Sequence, residues 1–334
     1  MKLTTQEALT AWLDQLAEQN SLIAPRDVDG TLLYAPVTHA REMTWEYTRP
    51  KLSAKEVVFP STQRILSIEK HGKDVALSEP ALDKPQVMFG LRPCDARGIA
   101  VLDSIFVGRE PVDTSYARRR EATTLIGLAC SQMWDSCFCT SMGSAPNDDK
   151  YVDVMLTKVG ADYAVNAVTE KGKQIVAGLI TKDSDAAMAM PALNPQERLV
   201  NQARMPEHFR DRYWDLLAER CIGCRVCAYV CPTCRCFDVR DQVVERRTNR
   251  SEYERIRCWD SCAGANYRVV AGGANPRSTK GQRLRNRFFC KLYYVPQGYH
   301  SDGCVGCGRC VESCPVNIDI VEVMRDLARA EVAV

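Results

Sequence analysis

Cys221, Cys224, Cys227 and Cys231 follow the spacing C-x2-C-x2-C-x3-C with Pro232 next, and Cys304, Cys307, Cys310 and Cys314 repeat it with Pro315 next. No other feature of the chain constrains its fold as much. Three thiolates three residues apart can take three corners of one [4Fe-4S] cubane, while the fourth points away and reaches a second cluster. The spacing predicts one centre on Cys221, Cys224, Cys227 and Cys314, and another on Cys304, Cys307, Cys310 and Cys231. That exchange forces the two centres close together. Full cysteine ligation leaves no iron open to substrate, so such centres should carry electrons. The competing reading is zinc, which usually takes its cysteines in separated pairs.

The chain holds 17 cysteines and only 4 histidines, so any metal should be bound through sulfur. The N-terminus MKLTTQEALTAWLDQLAEQN has Glu7, Asp14 and Glu18 and no apolar signal core. No window approaches the ~18 apolar residues of a membrane span. A cytoplasmic chain with no membrane span is therefore expected, in a compartment that keeps thiols reduced, and its cysteines read as metal ligands, not disulfides. A formal charge of +2 argues against a nucleic-acid partner.

The first part of the chain reads as α/β. Leu9, Trp12, Leu13 and Leu16 fit one face of an amphipathic helix. VVFPSTQRILSI reads as strands about a turn. Gln86–Leu91 is an apolar run that stops at Arg92-Pro93-Cys94-Asp95, where Asp95 is placed to cap a helix with Ile99, Leu102, Ile105 and Phe106 on one face. A second run, Thr123–Leu128, ends at Ala129-Cys130. Strand, helix, strand is the βαβ pattern. Tyr151–Val168 resembles a hairpin turning at Gly160.

Cys94 and Cys130 thus lie just past the carboxyl ends of two expected parallel strands, where open α/β sheets place ligands. Cys137 and Cys139 follow in the loop WDSCFCTSMG. These four make a third [4Fe-4S] site plausible, with zinc as a competitor. The bland alternative makes Cys94 and Cys130 buried small hydrophobes, which fits the polar loop around Cys137-Phe138-Cys139 poorly.

From about Asn194 the pattern changes. PEHFRDRYWDLLAER and IDIVEVMRDLARA read as helices flanking the two ligand runs. The expected fold is an α/β N-terminal domain, residues 1–195, followed by a mostly α-helical, two-[4Fe-4S] ferredoxin-like domain, residues 196–334, with a long insertion at about 237–300. The insertion carries Cys234, Cys236, Cys258 and Cys262 at or near its start, a possible further metal centre that leaves only Cys290 over. Arg240–Arg287 holds 12 Lys/Arg against 5 Asp/Glu. Two readings fit this excess: a salt-bridged, solvated face, or arginines that offset cluster charge or dock an acidic partner. No strand-linked GxGxxG, GxxxxGK[ST] loop or CxxCH site is present.

The ordered segments FGLRPCDARGI, ACSQMWDSCFCTSMG, CIGCRVCAYVCPTCRCFDV, RCWDSCAG, RLRNRFF and CVGCGRCVESCPVNIDI resemble the 4Fe-4S dicluster family that contains the iron–sulfur subunit of anaerobic sulfite reductase and the sulfhydrogenase (NiFe hydrogenase) beta subunit. The likeness covers residues 86–320. It implies an iron–sulfur subunit that relays electrons between a catalytic or bifurcating redox partner and a flavin/NAD(P)-binding subunit, in a complex of hydrogenase, sulfite reductase or heterodisulfide reductase type. The family motifs cover the eight ligands of the two runs, Cys94, Cys130, Cys137 and Cys139, and also Cys234, Cys236 and Cys262. Relatives commonly carry histidine where Ala274 and Cys290 stand, and Cys258 is not a general family feature. The alternative is a thiol or sulfur-species reductase acting at Cys234, Cys236 and Cys262.

Overall fold

The computed structural model describes residues 1–81, 84–185 and 202–329. The expected division near residue 195 lies outside them. The described residues form twelve strands: β1 (Lys2–Thr4), β2 (Ser21–Val28), β3 (Thr31–Val37), β4 (Thr62–His71), β5 (Asp74–Ser78), β6 (Gln86–Leu91), β7 (Thr123–Leu128), β8 (Val154–Val159), β9 (Asp162–Ala167), β10 (Lys182–Asp183), β11 (Phe237–Arg246) and β12 (Arg250–Trp259). Eight of them form a mixed sheet in the order β10-β1-β9-β8-β7-β6-β2-β3. Its centre is parallel, from β2 through β6 and β7 to β8, and its flanks are antiparallel.

Alternation along the central strands divides the core. Val87 and Phe89 of β6 face the helix Gln6–Gln19, which buries Leu9, Trp12, Leu13 and Leu16 against them. Met88 faces the opposite side, with Ile99, Leu102 and Phe106 of the helix Pro93–Phe106. β7 is buried along its whole length, as expected of a strand covered on both faces. The strand–helix–strand unit β6, Pro93–Phe106, β7 therefore forms as the sequence predicts. So does the hairpin of β8 and β9, with Gly160 at φ +63° in its turn.

Two local readings are corrected. Val57 and Val58 belong to a short helix, Lys55–Val58, not to a strand. Asp95 is not a helix cap: the helix starts at Pro93, with Arg92 at the N-cap, and Asp95 lies within its first turn.

The larger correction concerns the C-terminal half, which is not mostly helical. β11 and β12 form a ten-residue-per-strand hairpin. β12 pairs with β4, and β4 with β5, giving a second, antiparallel sheet in the order β11-β12-β4-β5. The whole molecule is α/β. Its insertion contributes two strands that complete a sheet begun early in the chain, so residues far apart in sequence satisfy each other's backbone groups. The hairpin also answers the charge question locally. Arg255 pairs with Asp241 at 2.7 Å, Arg64 with Glu254 at 2.7 Å, and Arg257 with Asp113. Arg247, Arg250 and Arg255 of that segment thus form part of a salt-bridged face.

A third core surrounds the ligand runs. Trp214 and Leu217 of the helix Tyr213–Arg220, Leu284 and Phe288 of Lys280–Phe289, and Val323, Met324 and Leu327 of Ile320–Arg329 pack there, together with Phe138 from the N-terminal half.

Candidate metal centres

The two ligand runs have the same backbone. In Cys221-Ile222-Gly223-Cys224-Arg225 the third and fifth residues are left-handed, Gly223 at φ +73° and Arg225 at +65°. In Cys304-Val305-Gly306-Cys307-Gly308 they are left-handed again, Gly306 at +68° and Gly308 at +72°. Each loop then enters a four-residue helix, Val226–Tyr229 or Arg309–Glu312. Left-handed residues in such turns make concavities of backbone amides that suit anions. The amide of Gly223 lies 3.4 Å from the Cys221 sulfur, and that of Ile318 3.2 Å from the Cys314 sulfur.

Cys221, Cys224, Cys227 and Cys314 line one cavity, whose wall also includes Cys310 and Arg287. Cys224 is exposed. Cys231, Cys304 and Cys307 are buried, and Cys231 acts electrostatically on Cys304, Cys307 and Cys310. Cys314 thus joins the first three thiols of the other run around one cavity, and Cys231 lies within electrostatic reach of Cys304, Cys307 and Cys310.

Cys94, Cys130, Cys137 and Cys139 line a further cavity at the carboxyl edge of β6 and β7, together with Gly306 and Cys307. The loop carrying Cys137 and Cys139 is docked onto the second ligand run. The Phe138 amide donates to the Gly306 carbonyl at 2.8 Å. A Cβ on Gly306 would stand 2.6 Å from the Cys139 Cα, so only glycine permits the approach.

The remaining thiols separate. Cys234 hydrogen-bonds to Cys231, and Cys236 to Cys262. The Cys236 thiol is pulled down to about 6, first by the hydrogen bond from Cys262, with Tyr267 and Arg235 adding to it. Cys262 is pushed up by the same contact and by burial. Cys290 stands beside this pair and accepts from Arg235 at 3.5 Å. Cys258 lies in β12, opposite Asp238 of β11 and Thr62 of β4.

Sequence reasoning missed a set of buried cations. Lys55, Arg92, Arg287, Lys291 and Arg309 are each 4% exposed or less. The Lys291 ammonium sits 2.9 Å from the Cys231 sulfur and 2.9 Å from the Thr233 hydroxyl. The Lys55 ammonium donates to the carbonyls of Ala228 and Cys234 and lies 3.9 Å over the Trp259 ring. Arg309 pairs with Asp95, itself fully buried, at 2.7 Å. Lys55, Lys291 and Arg287 have no carboxylate partner among the described residues. The only early signal was that KGQRLRNRFFCK is too basic for a helix so apolar on one face.

Burial pushes the Cys139 and Cys304 thiols up to about 12 and Cys307 up to about 11. Cys231 moves the other way, held well below its ordinary value by the hydrogen bond from Cys234 and by Lys291 and Thr233. Among the described residues, no three Cys, His, Asp or Glu side chains close around a single-ion position. The N-terminal four thiols and those of Cys221, Cys224, Cys227 and Cys314 line cavities instead, as the walls of a multi-atom cluster would. Buried cations without carboxylates cost several kcal/mol each unless an anion answers them. A cluster held by four thiolates is such an anion, so the donor set, the amides and the cations all fit it.

These features define a [4Fe-4S] iron–sulfur protein, and the 4Fe-4S dicluster domain family matches residues 220–318. The chain is 30% identical over 336 residues to the sulfhydrogenase 2 subunit beta of Pyrococcus furiosus, covering 96% of each chain. It belongs to the 4Fe-4S dicluster family of sulfhydrogenase beta subunits and is an iron–sulfur electron-transfer protein. No solved structure matches it. No helix among the described residues is long and apolar enough to cross a membrane.

Proposed function

We propose that this chain is the electron relay of a cytoplasmic redox complex, with three [4Fe-4S] centres in series. Cys94, Cys130, Cys137 and Cys139 would hold the first, Cys231, Cys304, Cys307 and Cys310 the middle one, and Cys221, Cys224, Cys227 and Cys314 the last. One observation carries the reading: neighbouring thiol sets share their walls. Cys307 belongs to the middle set and also lines the N-terminal cavity, while Cys310 belongs to the middle set and lines the last. A bound [4Fe-4S] cluster supplies one-electron uptake and release, with a potential set by its surroundings. The residues present do the rest: they space the sites, exclude water and supply counter-charge.

The ends of the row suit two different neighbours. The last set reaches the surface at Cys224, beside Ile222, which is 64% exposed. The first lies under the sheet edge near Thr48 and Gln132. At one end a flavin/NAD(P)-binding subunit, and at the other a catalytic or bifurcating partner of hydrogenase, sulfite reductase or heterodisulfide reductase type, complete the circuit. The name of the Pyrococcus relative, which calls it a beta subunit, fits a place in a multi-subunit assembly. Within the chain, the division near residue 195 separates the first set from the other two.

Iron and sulfide analysis of anaerobically purified protein tests this. Three centres give about twelve irons per chain, and Cys94→Ser lowers the figure by about a third while the interacting signals of the other two persist. Eight irons in both proteins would remove the N-terminal centre from the relay.

A further inference from the structure

Lys291 occupies an unusual position for a lysine. It is 4% exposed, and its ammonium is committed to the Cys231 sulfur, the Thr233 hydroxyl and, at 3.5 Å, the Gly303 carbonyl. The backbone puts it there. The helix Lys280–Phe289 runs into a π-helical turn, Cys290–Tyr294, whose wider winding changes the register of the side chains that follow. Gly303 packs against the Lys291 backbone so closely that a Cβ there would overlap it. Nothing in this arrangement lets the ammonium reach water.

The other buried cations near the centres differ in kind. Arg309, beside Cys307, is matched by Asp95, so the pair brings little net charge. Arg92, beside Cys130, gives its donors to the carbonyls of Thr48, Leu128 and Ala129. Arg287 stands between the middle and last sets, near both Cys227 and Cys310. Of these cations Lys291 places its charge 2.9 Å from the Cys231 sulfur and Arg287 hydrogen-bonds to the Cys310 thiol, two ligands of the same set, and neither has a carboxylate partner among the described residues.

We infer that Lys291, reinforced by Arg287, raises the reduction potential of the centre on Cys231, Cys304, Cys307 and Cys310, making it the site where an electron rests within the relay. The inference builds on the ligand assignment proposed above. The physical reason is charge bookkeeping. Reduction adds one negative charge to a buried site, and a fixed cation at hydrogen-bonding distance favours the more negative state. Water cannot screen the interaction, because the ammonium and the sulfur are both enclosed. The step is a plain one-electron transfer between neighbouring centres, with no proton or bond change at Lys291. It is a positioning residue: it acts through the ligand sulfur.

The test is an EPR-monitored redox titration of the full-length, anaerobically loaded protein as wild type, Lys291→Met and Lys291→Arg. Cys304→Ala identifies which signal belongs to the middle centre. In the wild type that signal is the first to appear as the potential is lowered. Lys291→Met keeps the length of the side chain without its charge. At a fixed potential it lowers the ratio of reduced to oxidised middle centre about tenfold, a one-electron shift of about 59 mV to the negative side. The other two midpoints stay in place, and Lys291→Arg recovers most of the change. Fully loaded Lys291→Met protein with unchanged midpoints overturns the inference. So does loss of the same iron from both the Met and the Arg variants, which would make Lys291 a structural residue. Wild-type protein without an interacting pair of clusters would instead overturn the ligand assignment itself, a distinguishable result.

Discussion

Asp95 shows how a single residue can be legible in type and illegible in role. Read locally, an aspartate after Arg-Pro-Cys is a helix cap. In the structure its carboxylate accepts from Arg309, 214 residues away, at 2.7 Å, and from the Tyr34 hydroxyl at 3.1 Å. No local pattern encodes that partner. The same holds for Lys291 and Arg287, whose burial depends on how the ligand runs fold over them. The thiols were legible because a cluster demands fixed spacing within each run, while their counter-charges come from anywhere in the chain. Arg309 also donates to the Pro50 carbonyl at 3.1 Å, so the pair ties the second ligand run to the sheet domain. Asp95→Asn removes the carboxylate that answers a fully enclosed guanidinium. Breaking one side of a buried pair costs about 3–5 kcal/mol. A lower denaturant midpoint with unchanged slope, measured on the loaded protein, checks this. An unchanged midpoint would mean that Arg309 is satisfied by the cluster sulfurs alone.

At the scale of elements, short-range pattern succeeded where the periodicity was self-contained. The βαβ unit, the β8–β9 hairpin and the helices Tyr213–Arg220 and Ile320–Arg329 beside the ligand runs were readable, because each is fixed by its own apolar face. The β11–β12 hairpin was not, since its strands carry charges on both faces and acquire meaning only beside β4. The close contact between the Cys137–Cys139 loop and the second ligand run was equally hidden, although Gly306 and Gly308 stood in plain view as part of CVGCGRC. Gly306 needs both its positive φ and its missing side chain. A Gly306→Ala substitution strains the backbone and drives the added methyl toward Cys139. The methyl cannot be relieved by a side-chain rotation, because the atoms it meets are backbone. The loop must therefore lift, and the N-terminal cavity opens with it. Iron analysis should show about four irons lost, the content of one cubane, while most of the interacting dicluster signal is kept. Loss of the dicluster first would mean that the strain is taken up within the run instead.

At the scale of the whole molecule, the two halves are folded into one another. β12 completes the sheet begun by β4 and β5. Phe237 and Trp259 of that hairpin pack on Phe59, and Phe237 also packs on Phe106 of the helix after β6. In return, Phe138 enters the core around Trp214 and Phe288. Gly98 of the same N-terminal helix lies so near Pro232 that a Cβ would stand 2.5 Å from its side chain. A division into an N-terminal and a C-terminal unit near residue 195 therefore describes the ligand sets better than it describes the folding. Expressed alone, residues 1–195 keep all four N-terminal cysteines and the eight-stranded sheet. They lose the partner of β4, whose exposed edge becomes a template for association, and they uncover the aromatic surface on Phe59 and Phe106. The fragment should aggregate or bind a hydrophobic dye, and should carry little iron even when reconstituted anaerobically. Co-expression with residues 196–334 should restore a soluble complex. A monodisperse fragment with about four irons would show that the first centre is an independent module, later joined to the other two.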